Sequence, residues 1–190
     1  LQSGLKRRSI KAFSESSIIS SFTDSSNTQL ISISSSGEIK SFEFSKGVQI
    51  GQICTNVSVS SASINRDTEL IAIGCSDYAV RVIDFSAMKL VRLFNGHSAK
   101  VVDLIFSSDS KWIVSCSEDK SIRTWDMSSG NILDVLVVEK TPIAIALSHN
   151  LEFLASCHKD EISIKLWSNR SLYTGDCNII ESAINCFTSS

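Results

Sequence analysis

Ser115-Cys-Ser-Glu-Asp-Lys-Ser-Ile-Arg-Thr-Trp-Asp126 decides the fold, because the chain repeats it. An Asp (Asp119) stands three residues before an aliphatic (Ile122), and a large apolar residue followed by Asp closes the run (Trp125-Asp126). Ile73-Gly-Cys-Ser-Asp-Tyr-Ala-Val-Arg-Val-Ile-Asp84 has the same plan: Asp77 precedes Val80, and Ile83-Asp84 close it. Ser36-Gly-Glu-Ile-Lys-Ser-Phe-Glu43 is a weaker copy upstream. Asp160-Glu-Ile-Ser-Ile-Lys-Leu-Trp-Ser168 is a downstream copy with one residue inserted after the Asp. The closing apolar residues Phe42, Ile83, Trp125 and Trp167 are spaced by 41, 42 and 42.

Around these marks each repeat divides into four short apolar runs separated by turn residues. In the clearest repeat the runs are 101–106, 112–117, 121–126 and 132–138. Ser107-Ser-Asp-Ser110, Glu118-Asp-Lys120 and Met127-Ser-Ser-Gly130 separate them, and Gly130 suits a turn that needs a positive φ. The other repeats follow at 18–22, 30–34, 38–42 and 48–53; at 58–64, 70–74, 79–84 and 90–94; and at 142–147, 153–157 and 163–167. Pro142 heads its run, where a missing N–H is tolerated. Four short strands per period of about 40–45 residues, with a Trp-Asp mark, is the signature of a β-propeller blade.

The expected fold class is therefore all-β: a WD-repeat β-propeller of about four four-stranded blades with partial blades at either side. Blades are expected at 17–54, 57–95, 96–138 and 141–176. Residues 1–16 are read as the end of a preceding blade, because Gln2-Ser-Gly-Leu-Lys6 matches Ser128-Ser-Gly-Asn-Ile132. Residues 182–190 are read as the start of a next blade. All belong to a single partial propeller domain, 1–190. Propellers close with typically four to eight blades. The expectation is a fragment of a larger propeller, seven-bladed or tandem.

Composition limits the function. The formal net charge is −2, which argues against a surface built broadly for phosphate backbones. No run approaches the roughly 20 apolar residues of a membrane span, and Lys6, Arg7 and Arg8 lead into no apolar run of a secretory signal. Lys6-Arg7-Arg8-Ser9, a possible basic contact or kinase site, falls by register on an outermost strand. The six cysteines (Cys54, Cys75, Cys116, Cys157, Cys177, Cys186) form no CxxC pair. Cys75, Cys116 and Cys157 recur once per repeat and read as small buried apolar residues in a reducing compartment. His149 and His158 stand alone without convergent ligands, so no metal and no cofactor are expected.

His97, Ser115 and Asp119 together evoke a hydrolytic triad. Register argues otherwise: His97 precedes a first strand, Ser115 lies on the second, Asp119 in the turn after it and Trp125 on the third. With no GxSxG elbow anywhere, the four residues resemble the structural tetrad of WD repeats, a hydrogen-bonded chain inside one blade. The next repeat keeps Ser156, Asp160 and Trp167 but has Glu139-Lys140 in place of Gly-His. The one before keeps Asp77 with Ile73 and Ile83, which implies apolar substitutes.

The run from Gly96 to Trp112 resembles the GHxxxxxDxxFSxDxxW of many WD repeats. Ser121-Ile-Arg-Thr-Trp-Asp126, Gly130-Asn-Ile-Leu-Asp134 and Leu166-Trp-Ser-Asn-Arg-Ser-Leu-Tyr173 are more particular, and with Val80-Arg-Val-Ile-Asp84 they resemble the Utp-twenty-one, or WD-repeat-thirty-six, family. That resemblance implies tandem propellers, this piece matching the closing blades of the second. It also implies a nuclear, nucleolar, non-catalytic scaffold of the small-subunit processome, working in early pre-ribosomal RNA processing and small-subunit assembly. Implied partners are other processome scaffold proteins, several of them WD-repeat, with direct or indirect contact to U3 small nucleolar RNA or pre-ribosomal RNA. No membrane and no small-molecule substrate are implied. The alternative is a generic WD-repeat adaptor for a peptide or protein partner, for example in a ubiquitin ligase. On either reading the loops before first strands and after second strands share one rim, where Lys100, Glu118, Lys120, Lys140 and Lys159 are candidate partner contacts.

Overall fold

The computed structural model of the chain describes residues 9–169 and 187–189. Every described element is a strand. The first sheet holds β1 (Ile18–Thr23), β2 (Gln29–Ser34), β3 (Glu38–Glu43) and β4 (Gln49–Cys54). The second holds β5 (Val59–Asn65), β6 (Leu70–Cys75), β7 (Val80–Asp84) and β8 (Lys89–Phe94). In the third are β9 (Val101–Phe106), β10 (Trp112–Ser117), β11 (Ser121–Asp126) and β12 (Ile132–Val137). The fourth has β13 (Pro142–Leu147), β14 (Phe153–His158), β15 (Ile164–Asn169) and β16 (Phe187–Ser189). Each is a four-stranded antiparallel meander in chain order.

The turns explain why these runs pair with their neighbours. Lys120 and Tyr78 take φ values of +62° and +67° in equivalent turns between second and third strands, and Gly37 (+88°) and Gly130 (+79°) serve two others. Such tight reversals fix the register, so that Trp125 lies opposite Ile113 and Ile83 opposite Ile71.

Successive sheets bury their faces against each other. Ile31, Ile33 and Ile39 meet Val59, Ile71 and Ile73 between the first two. Phe94, Val80 and Val82 meet Leu104, Ile113 and Trp125 between the next two. Val114, Cys116 and Ile122 meet Ile145, Leu154 and Trp167 between the last two. The first strands pack on one another in turn, β1 on β5, β5 on β9 and β9 on β13, so they line the axis of the fan. Second strands are the most buried, while outer strands such as β8 are exposed along nearly their whole length.

Polar bonds also stitch blade to blade. The Ser60 hydroxyl donates to Val101 O (2.6 Å), Ile145 N donates to Asp103 Oδ2 (2.9 Å), and Arg92 donates from Nε to Met127 O and from Nη2 to Ser128 O, each at 3.0 Å.

Two boundaries differ from the sequence reading. Phe187–Ser189 does not open a further blade; it pairs antiparallel with β15 as the fourth strand of the fourth sheet. β15 has one edge on β14, and its other edge presents backbone donors and acceptors that this segment satisfies. At the other end, residues 9–17 form no strand. Instead Phe13 is buried, and Lys40 lies over its ring (4.9 Å) and donates to Ala12 O. The Lys6-Arg7-Arg8 run lies outside the described residues.

Candidate functional site

The third blade brings His97, Ser115, Asp119 and Trp125 into one chain of hydrogen bonds. β10 and β11 place Ser115 and Trp125 on the same sheet face, and Trp125 Nε1 donates to Ser115 Oγ at 2.8 Å. The Ser115 hydroxyl lies 2.8 Å from His97 Nε2, and His97 Nδ1 lies 2.8 Å from Asp119 Oδ2. Since the indole can only donate, one assignment satisfies every group: Ser115 donates to Nε2, and Nδ1–H donates to Asp119. The ring is then neutral. Burial drives its affinity for a proton below the ordinary histidine value, against the pull of Asp119. Asp119 has further donors in Ser98 N (3.0 Å), Ser121 N (2.9 Å) and Ser121 Oγ (2.6 Å). Burial opposes its charge, yet bonds from Ser121, His97 and Ser98 hold the carboxyl down at about 2.

The inner distances are those of a hydrolytic triad, but the surroundings are not. Ser115 is 0% exposed and its oxygen already accepts from the indole. Its hydroxyl faces packed side chains, and a substrate carbonyl has no route to it.

The neighbouring blades depart from the tetrad in different ways. In the second, Ile73 and Ile83 are fully buried apolar substitutes, but Asp77 keeps a polar partner: Arg81 donates from Nη1 (2.8 Å) and Nη2 (2.5 Å) to its two oxygens. That bond lowers the Asp77 carboxyl. In the fourth, Trp167 Nε1 donates to Ser156 Oγ at 2.7 Å. Asp160, the sequence candidate for the turn carboxylate, is exposed, and Glu161 turns inward in its place. The inserted residue shifts the turn, leaving Glu161 three before Ile164, as Asp119 is three before Ile122.

A recurring backbone bond defines the rim. Ser35 N to Ser17 O, Ser76 N to Ser58 O, Glu118 N to Lys100 O and Lys159 N to Thr141 O all measure 2.8–2.9 Å. Each ties the turn after a second strand to the loop before the first strand of the same blade. Lys100, Glu118, Lys120, Lys140 and Lys159 all lie on these loops and all are exposed. Lys140 is engaged within its blade, 3.7 Å from Glu161 Oε1. Among the described residues no group of three His, Cys, Asp or Glu side chains is placed to hold a metal. No helix there is long and apolar enough to cross a membrane.

A known family, the WDR36/Utp21 second beta-propeller domain, matches residues 1–180. This chain belongs to that family. WD repeat-containing protein 36 of Homo sapiens is 32% identical over 176 residues, 92% of this chain and 20% of the relative. The U3 small nucleolar RNA-associated protein 21 homolog of Schizosaccharomyces pombe is 30% identical over 91% of the chain and 19% of the relative. U3 small nucleolar RNA-associated protein 21 of Saccharomyces cerevisiae is 28% identical over 91% and 18%. The chain thus spans about a fifth of the length of these relatives.

As a WDR36/Utp21 propeller, the chain shows which cysteines are structural. Cys75 and Cys116 are fully buried, and burial keeps both as thiols, Cys116 pushed up to about 12. Cys157, on the equivalent strand of the fourth blade, is half-buried. Sequence reasoning missed three groups: Arg81 as partner to Asp77, Arg92 as an inter-blade clamp, and Glu161 as the inward carboxylate. Of these only Glu161 left a signal, its three-residue spacing to Ile164.

Proposed function

We propose that this chain is a non-catalytic scaffold segment of the small-subunit processome in the nucleolus, supporting early pre-ribosomal RNA processing and small-subunit assembly. The observation that carries the reading is the family match across residues 1–180, with relatives named for association with U3 small nucleolar RNA. The geometry supports it: the His97-Ser115-Asp119 constellation is consumed in holding a blade together. Stitched blades make a stiff body, and a stiff rim loses little entropy when partners dock. Lys100, Glu118, Lys120 and Lys159 present charge there for those partners. Other processome scaffold proteins are the proposed neighbours, with U3 or pre-ribosomal RNA nearby.

Depletion of the intact protein from cells tests this. The expected result is accumulation of unprocessed pre-ribosomal RNA and a shortfall of small subunits with large subunits retained, restored by wild type and by Ser115→Thr alike. Normal small-subunit RNA after depletion would overturn the reading.

A further inference from the structure

The fourth blade holds a cluster the scaffold reading does not use. His158 ends β14 with its side chain fully buried, and neither ring nitrogen has a hydrogen-bond partner. The equivalent residue in the third blade is Ser117, whose hydroxyl donates to Ala99 O. Nδ1 of His158 lies 3.5 Å from Glu161 Oε2, which is itself buried without a hydrogen bond. The other Glu161 oxygen takes two cations, Lys165 Nζ at 3.4 Å and Lys140 Nζ at 3.7 Å. Lys140 sits in the loop that in the third blade supplies His97, and also reaches Asp160 O at 3.4 Å. A carboxylate therefore ties the loop before β13 to the turn after β14, as Asp119 does, but with lysine in place of a neutral imidazole.

We propose that this contact is a proton-responsive clasp: Glu161, gripping Lys140 and Lys165, closes over the unpartnered His158 ring, and a proton taken up by that ring opens it. The charged groups facing the ring are Lys165 from β15, Glu161 from the turn and Lys140 from the loop. A protonated ring, its side chain fully buried, puts a third cation against one carboxylate that Lys140 and Lys165 already share. Burial, then Lys165 and Lys140, push the His158 ring below its ordinary value, and Glu161 only partly opposes them. The open rim then takes the proton more readily, at the ordinary histidine value of 6.5, than the closed rim, where it is held lower. Lowering the pH therefore favours opening, and raising it favours closure.

Hydrogen exchange of the full-length protein at pH 7.5 and 5.5, corrected for intrinsic rates, reads the clasp. Residues 158–166 should open up to about tenfold more often at pH 5.5, the ratio a site of pKa near 6.5 gives across that interval. Residues 75–82, the equivalent turn without histidine, are the control and should not change. His158→Ser, which installs the residue of the third blade, should stay protected at both values. Glu161→Gln should be open already at pH 7.5. Equal protection of 158–166 in wild type at both values, relative to the control, would overturn the proposal. So would an unaltered pH response in His158→Ser, or full protection in Glu161→Gln.

Discussion

Ser115 shows how the same three side chains carry different meanings in different surroundings. Its hydroxyl accepts from Trp125 and donates to His97, so Ser115→Ala orphans two buried polar groups at once. The expected cost is about 2–6 kcal/mol, at 1–3 kcal/mol per buried unsatisfied group. Ser156→Ala in the fourth blade orphans only the Trp167 indole and should cost about half as much. Urea unfolding of both variants checks the ratio; equal losses would contradict the chain of bonds described.

The same residues set a pH dependence. His97 has its folded-state value lowered, so the unfolded chain binds a proton that the folded chain refuses. Its contribution is complete above 6.5 and is lost as pH falls below it. Asp119 is lowered from 3.8 to about 2; its contribution is complete above 3.8 and lost as pH falls through that interval. The urea midpoint should therefore drop between pH 7.5 and 5.5, and a further stage should follow below pH 4. His97→Asn should reduce the first stage, leaving the part that His158 contributes.

At the scale of the element, turn chemistry decides the register. Gly37 has a φ of +88° and the place of its missing side chain is filled by Val57 O and the Thr55 hydroxyl. Gly130 has a φ of +79° with nothing within 4 Å. Both positions cost an ordinary residue about 1–2 kcal/mol for the left-handed backbone. Only Gly37→Ala must also displace backbone, so it should lose clearly more than Gly130→Ala in thermal unfolding.

Strands were the most legible feature of the sequence. Runs 101–106, 112–117, 121–126 and 142–147 coincide with β9, β10, β11 and β13, because alternation and turn residues are local signals. The register of His97, Ser115, Asp119 and Trp125 was legible through the repeat spacing, and their bonding only through the resemblance to WD repeats. Arg81, Arg92 and Phe13 were not. Arg81 pairs only four residues back, with Asp77, by a charge contact that the apolar and turn pattern does not mark; the partners of Arg92 and Phe13 are set by which surfaces meet in space, and Arg92 reaches 35 and 36 residues along the chain. The pairing of Phe187–Ser189 with β15 was invisible too, since an edge strand carries little burial pattern of its own.

Across the whole molecule, four stacked sheets with apolar seams behave as one mechanical unit. Arg92→Ala removes a two-point clamp between the second and third blades. It should cost about 0.5–1.5 kcal/mol, the net range of a typical hydrogen bond, because both bonds are exposed, and raise hydrogen exchange at 127–130 more than at 115–117. Rim substitutions should behave in the opposite way. Charge reversal at Lys100 and Lys120 should leave stability within about 0.5 kcal/mol, as surface changes usually do, while weakening assembly with partners.

The scaffold reading meets its most direct test in affinity purification of the tagged, intact protein from gently lysed cells, with co-purifying proteins and RNA identified. Recovery of processome proteins with U3 small nucleolar RNA and pre-ribosomal RNA is the predicted result. Recovery of ubiquitin-ligase subunits without any ribosomal precursor would contradict it.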